Sequence, residues 1–143
     1  MPVQFVRAAR ASAATDLAGI ARQARLLAAA ERSDEFEAVH TAFDRAHRLA
    51  GRAEAEAAPS LDESLLEDGA ERDLANALAG TPIEVGGGLR AAATLAPHVN
   101  RYFDDVLVMA DDPAVRANRL RLLLDVRNAL GRLGDFTQIQ RAG

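Results

Sequence analysis

The sequence predicts an all-α fold, a single helical bundle of about five helices. Three observations predict it. Apolar residues recur at intervals of three and four along most of the chain. Alanine, the best helix former, dominates the apolar content. No run alternates apolar and polar residues for long enough to make a half-buried strand, and no two-residue hairpin turn signature occurs.

The first fourteen residues read as a lead-in or linker, residues 15–140 as the helical domain and 141–143 as a tail. Thr15-Asp16 offers an N-cap, after which Leu17, Ile20, Ala24 and Leu27 repeat at helical spacing. That helix ends near Ala30 to Arg32. Ser33 caps a second helix, with Asp34 and Glu35 in the first turn where the helix dipole favours them. Its buried stripe is Phe36, Val39, Phe43, Ala46 and Ala50, while Arg45, Arg48 and Arg52 form a stripe off the core side. "LDESLLEDG" reads as a helical turn or irregular stretch, followed by a third helix from about Ala70 to Ala79 that stops at Gly80. "TPIEVGGG" is a break, because proline and three glycines cannot continue a helix. A long helix from about Leu89 to Met109, kinked near Pro97, comes next. The last runs from Pro113 to about Leu133, opened by Asp112 as N-cap and proline at the first helical position.

With 143 residues and no cysteine, the chain is one domain by length and has neither a disulfide framework nor a thiol nucleophile. No signal peptide pattern and no apolar run of about 20 residues occur, so a soluble, cytoplasmic protein without membrane contact is expected. The net charge of −4 hides a division. Eight acids lie between Glu54 and Asp73 against Arg72 alone, so the remainder carries 13 acids and 16 arginines, a balance of +3. Every basic residue is arginine, the side chain best suited to planar recognition of phosphates and bases.

Catalytic constellations are missing. Without lysine there is no P-loop, and neither a G-x-S-x-G elbow nor an H-E-x-x-H pair occurs. "GGGL" before a helix reads as a connector sooner than an anion cradle, lacking a preceding strand. His40, Asp44 and His47 share a helix edge at metal-ligand spacing, but Val39 and Phe43 beside them favour a structural edge with Asp44 paired to Arg48. No catalytic residue, metal or cofactor is assigned to the chain.

The start of the last helix is anomalous. Its first turns carry Arg116 and Arg119, where the dipole disfavours cations. On a helical wheel both fall inside the apolar arc of Val115, Leu122, Val126 and Leu130, together with Arg127. Asn118, Arg121, Asp125, Asn128 and Arg132 take the opposite, solvated side. A guanidinium so placed needs a partner. The structural expectation is that Asp104, Asp105, Asp111 or Asp112 pairs with it at the corner; the functional one is that donors stay free for an anionic or planar ligand beside Tyr102 or Phe103.

"VNRYFDDVLVMADDPAVRANRL" strongly resembles the C-terminal region of the β subunit of bacterial glycyl-tRNA synthetase, through Val99, Phe103, Asp104, Val106, Val108, Met109, Ala110, Asp112, Arg116, Asn118, Arg119 and Leu120. "AFDRAHRLAG", "LDESLLEDGAERDLANAL" and "LGRLGDFTQIQ" are similar to further segments of that family, so the likeness spans roughly 17–140. The resemblance implies an anticodon-binding domain of the DALR type, with the motif surviving as Asp112-Pro113-Ala114-Val115-Arg116. It implies a tRNA-binding, non-catalytic part of a glycine–tRNA ligase. ATP and magnesium would belong only to the parent enzyme. The partners would be the anticodon loop of a glycine tRNA, the rest of the β subunit and the α subunit. Residues expected at the RNA are Arg45, Arg48, Arg52, Arg101, Tyr102, Arg116, Asn118, Arg119 and Arg121, with Arg121 on a phosphate and Asn118 on a base edge. The acidic 54–73 segment would lie away from RNA. The alternative is a helical protein–protein interaction module whose arginines pair internally.

Overall fold

Seven α-helices and no strand form among the described residues, 2–140, of the computed structural model. They are α1 (Val3–Arg10), α2 (Leu17–Ala30), α3 (Asp34–Arg48), α4 (Ala50–Glu56), α5 (Ala70–Gly80), α6 (Leu89–Asp105) and α7 (Pro113–Gly131). Two single 3-10 turns, Glu63–Leu65 and Phe136–Gln138, complete the order. The all-α class is as the sequence predicts, whereas the number of helices is larger. The 141–143 tail lies outside the described residues.

The two extra helices have plain causes. The expected lead-in is helical because Phe5, Ala8 and Ala9, at i, i+3 and i+4, put an apolar face on α2 and on the final 3-10 turn. The second expected helix is divided at Leu49, whose φ of −103° and ψ of 4° leave the α region. Gly51 consequently sits inside α4. The long helix stops at Asp105, four residues early, because Val106 turns extended (φ −116°, ψ 130°). It runs uninterrupted through Pro97, whose missing N–H falls on an exposed position.

The N-caps read from sequence are in place. Asp16 accepts from Gly19 N, Ser33 from Phe36 N, and Asp112 from both Ala114 N and Val115 N. Each such cap contributes about 1 kcal/mol. Around them α3 forms the centre, packed against α6 on one side and α7 on the other, while α5 covers α6 and α4 covers α7. Phe36, Val39 and Phe43 of α3 meet Leu95 and Val99 of α6 and Leu122, Val126 and Leu130 of α7 in one continuous buried cluster. The glycine-rich break is built in: Gly86 N donates to Gln23 Oε1 at 2.9 Å, and the same amide's nitrogen donates to Leu133 O at 2.9 Å. A Cβ at Gly88 would stand 2.5 Å from Glu84 O, so only glycine fits there.

Candidate nucleic-acid interface

The corner between α6 and α7 is where the sequence concentrates its arginines, and the loop 106–112 sets their geometry. Asp112 caps α7 and aims the first turn, and from it Arg116 folds back to donate to Ala110 O at 3.0 Å. Arg119, one turn on, is buried at 7% exposure. Its Nη1 donates to Leu107 O at 2.8 Å, while Nε and Nη2 reach the two oxygens of Glu71 at 3.4 Å each. Glu71 is itself buried and also accepts Glu67 N at 3.1 Å. Magnitudes explain the anomaly. The dipole penalty for a cation in the first turns is about 0.3–1 kcal/mol. Hydrogen bonds to a charged group are worth about 1.5–3 kcal/mol each, so the contacts of these guanidiniums outweigh it.

The expected Asp partners at the corner are therefore corrected. Arg116 and Arg119 are held by backbone carbonyls of the loop and, for Arg119, by Glu71 with Glu67 at 3.5 Å. Aspartates 104 and 105 turn elsewhere: Arg45 Nη2 donates to Asp104 at 2.9 Å, and Arg101 Nε lies 3.5 Å from Asp105. A carboxylate two helices away wins because α5 docks on α6 and delivers Glu71 into the cleft.

Asn118 departs furthest from expectation. It is buried, not solvated, and both ends of its amide hold the Asp62 peptide: Asp62 N donates to Oδ1 at 2.8 Å, and Nδ2 donates to Asp62 O at 3.0 Å. The chain 57–62 comes back over α7, with Ala58 N bonded to Ala117 O at 3.0 Å, and converts the wheel's solvated side into an interface. Arg121 is likewise not an open side chain. It lies along Asp125 at 2.6 Å, and its side chain is 17% exposed. Tyr102 is fully buried, donating to Arg119 O at 3.2 Å; burial first, and then the negative Glu71, push its phenol well above the ordinary value, with Arg119 opposing.

The arginines expected at the RNA on α3, α4 and α6 keep solvent access. Arg45 bridges to α6 through Asn100 (3.2 Å) and Asp104, its guanidinium 5.2 Å from the Phe103 ring centroid. Arg48 is exposed at the last turn of α3, and Arg52 pairs with Glu56 at 2.8 Å along α4. Arg101 is half exposed and spans to Asp73 of α5 at 2.6 Å. Arg127 reaches Glu54 at 3.0 Å. The acidic 54–73 segment thus supplies counter-charges to Arg52, Arg101, Arg119 and Arg127. Sequence reasoning noticed both charge blocks and treated them separately; their complementarity was the signal that pairs them. His40 is core, with Nε2 2.9 Å from Phe136 O and Asp44 3.7 Å away. Among the described residues no group of three His, Asp or Glu side chains is placed to hold a metal.

Fold and site together define a helical module tied at one corner by arginine–carboxylate and arginine–carbonyl bonds. Comparison with known proteins is specific. The chain is 40% identical over 145 residues to the glycine–tRNA ligase β subunit of Anaeromyxobacter dehalogenans, the match covering 95% of this chain and 21% of that protein. The β subunits of Moorella thermoacetica (34% identity, 94% of this chain, 20% of theirs) and Desulforapulum autotrophicum (35%, 73% and 16%) are similar too. The chain is thus homologous to a segment of the glycine–tRNA ligase β subunit, spanning about a fifth of the length of these relatives. No protein-family model matches it. No helix is long and apolar enough to cross a membrane among the described residues.

Proposed function

We propose that the chain is the C-terminal, DALR-type anticodon-binding part of a glycine–tRNA ligase β subunit, and that it grips the anticodon loop of a glycine tRNA without doing chemistry itself. In this reading ATP and magnesium serve the parent enzyme in the cytoplasm, and the protein partners are the rest of the β subunit and the α subunit. The observation that carries it is homology to such β subunits across 95% of the chain.

In this reading the residues that meet RNA are those of the expected set with solvent access. Single-stranded loops are read by stacking on aromatic rings and guanidinium planes and by hydrogen bonds to unstacked bases. Arg45 over Phe103, with Arg48 and Arg101 nearby on α3 and α6, offers such surfaces to solvent. The carboxylate pairs of Arg45 and Arg101 are solvent-accessible, worth about 0–1 kcal/mol, and exchange for phosphate at little cost. Tyr102, Asn118 and Arg119 serve as scaffold, Arg116 pins the corner, and Arg121 engages only by leaving Asp125.

Fluorescence anisotropy with a glycine-tRNA anticodon stem-loop, against an equal-length stem-loop of swapped anticodon, tests this. Preference for the first, weakened by Arg45→Ala and Arg48→Ala, is the expected result. Equal affinity for both would leave a generic electrostatic RNA binder and sink anticodon reading. The internal pairing of Arg52, Arg101, Arg119, Arg121 and Arg127 favours a second reading, a protein–protein interaction module. No binding to either RNA at low salt would select it.

A further inference from the structure

Five arginines with neither an ion pair nor a side-chain hydrogen bond to a described residue lie together, away from the α6–α7 corner. Arg7 and Arg10 of α1, Arg22 and Arg25 of α2 and Arg32 just past α2 are all exposed, and none forms an ion pair with a described residue. Among residues 1–33 these five face only two acids, Asp16 and Glu31. Asp16 is occupied as the α2 cap. Elsewhere in the chain carboxylates are abundant and most arginines are bonded. The asymmetry is therefore one of placement, not of composition.

Helix geometry puts the cations on faces of their own. Arg7 and Arg10 stand one turn apart, opposite the buried Phe5, Ala8 and Ala9. Arg22 and Arg25 repeat the pattern opposite Gln23, Ala24 and Leu27. The two helices pack directly on each other, so four unpaired guanidiniums ride on one hairpin. Like charges one turn apart on each helix repel, and the fold gains nothing from them. A polyanion would neutralise them, and the guanidinium fork fits phosphate oxygens bidentately.

We propose that the outward faces of α1 and α2 form a second RNA contact, a phosphate-backbone surface separate from the α3/α6/α7 corner. It rests on the preceding reading in taking RNA as the polyanion. It reads no sequence: it adds affinity and salt dependence, leaving anticodon choice to the corner.

The test is the salt dependence of binding by the whole chain to the two stem-loops above and to a full-length glycine tRNA transcript. The variant is Arg7→Ala/Arg10→Ala/Arg22→Ala/Arg25→Ala, whose parental side chains make no ion pair with a described residue; circular dichroism checks that it folds. With four phosphates engaged, the slope of log K against log salt becomes shallower by about 3–4, and affinity at low salt falls about tenfold or more on every RNA alike. The corresponding four Arg→Lys changes restore most of the slope. A variant with the parental slope and affinity overturns the surface while leaving anticodon reading intact. Loss of binding without any anticodon preference supports the surface and sinks anticodon reading. No RNA binding by the parental chain overturns both. Retained RNA binding with lost sedimentation on phosphatidylserine vesicles would assign the arginines to a membrane and overturn the proposal.

Discussion

Arg119 is a buried cation whose position is defined by three neighbours of different origin: Glu71 from α5, Leu107 O from the corner loop and, at the rim, Glu67. Desolvating both charges costs several kcal/mol, and their attraction offsets this only while both are present. Removing the second partner once the first is gone should thus cost less than removing it alone. Glu71→Leu and Arg119→Met are each expected to cost about 3–5 kcal/mol in urea unfolding. The double variant should cost less than their sum, with a coupling energy of about 1–3 kcal/mol. Additive losses would mean that the pair does not act as a unit and that each residue matters only for its carbonyl or amide contacts.

At the scale of elements, α1 is the one whose role changes most between sequence and structure. Its Phe5 is 1% exposed, Asp135 N donates to Ala8 O at 3.0 Å, and Gln140 N donates to Gln4 Oε1 at 3.1 Å. Gly134 is at φ +149°, and a Cβ there would lie 2.9 Å from Ala8 O, so the final turn and α1 touch at backbone distance. A chain starting at residue 15 should lose at least the ~3–5 kcal/mol that truncating a buried phenylalanine costs, read as a lower urea midpoint. An unchanged midpoint would return α1 to the status of a linker. Helices with strong caps, α2, α3 and α7, were legible because Asp16, Ser33 and Asp112 mark their starts locally. The eight residues of α1 have no side-chain cap, and their pattern makes sense only with α2 and the last turn beside them. The site was legible in the same uneven way. The misplaced Arg116 and Arg119 stood out from wheel and dipole alone, whereas the carboxylates that hold Arg119 lie 48 and 52 residues distant and came into reach only through the docking of α5 on α6. Asn118 misled because a wheel knows nothing of the strand of chain that returns over it.

Across the whole molecule, Tyr102 stands where three elements meet: it belongs to α6, bonds α7 through Arg119 O, and feels Glu71 of α5. The fold accepts only its neutral phenol, because burial and the neighbouring carboxylate raise its pKa well above the ordinary value of about 10. The sign of the linkage follows. A group whose folded pKa is raised contributes stability that is fully present below the unfolded pKa and declines as pH rises beyond it. Stability should be indifferent to this group up to about pH 10 and fall above it by at most ~1.4 kcal/mol per pH unit. The arginines stay charged throughout that range, so the corner's ion pairs do not confound the effect. The chain has one tyrosine and no tryptophan, so phenolate absorbance reports Tyr102 alone. In an alkaline titration the phenolate signal should stay silent past about pH 10 and then appear together with loss of helical circular dichroism. Tyr102→Phe should cost about 1 kcal/mol at neutral pH, from the lost bond to Arg119 O, and make alkaline unfolding begin later. Phenolate appearing near its ordinary pKa with helices intact would show that the junction of α5, α6 and α7 opens to water without unfolding. The corner would then be a hinge, and the rigid scaffold assigned to Tyr102 and Arg119 would fail with it.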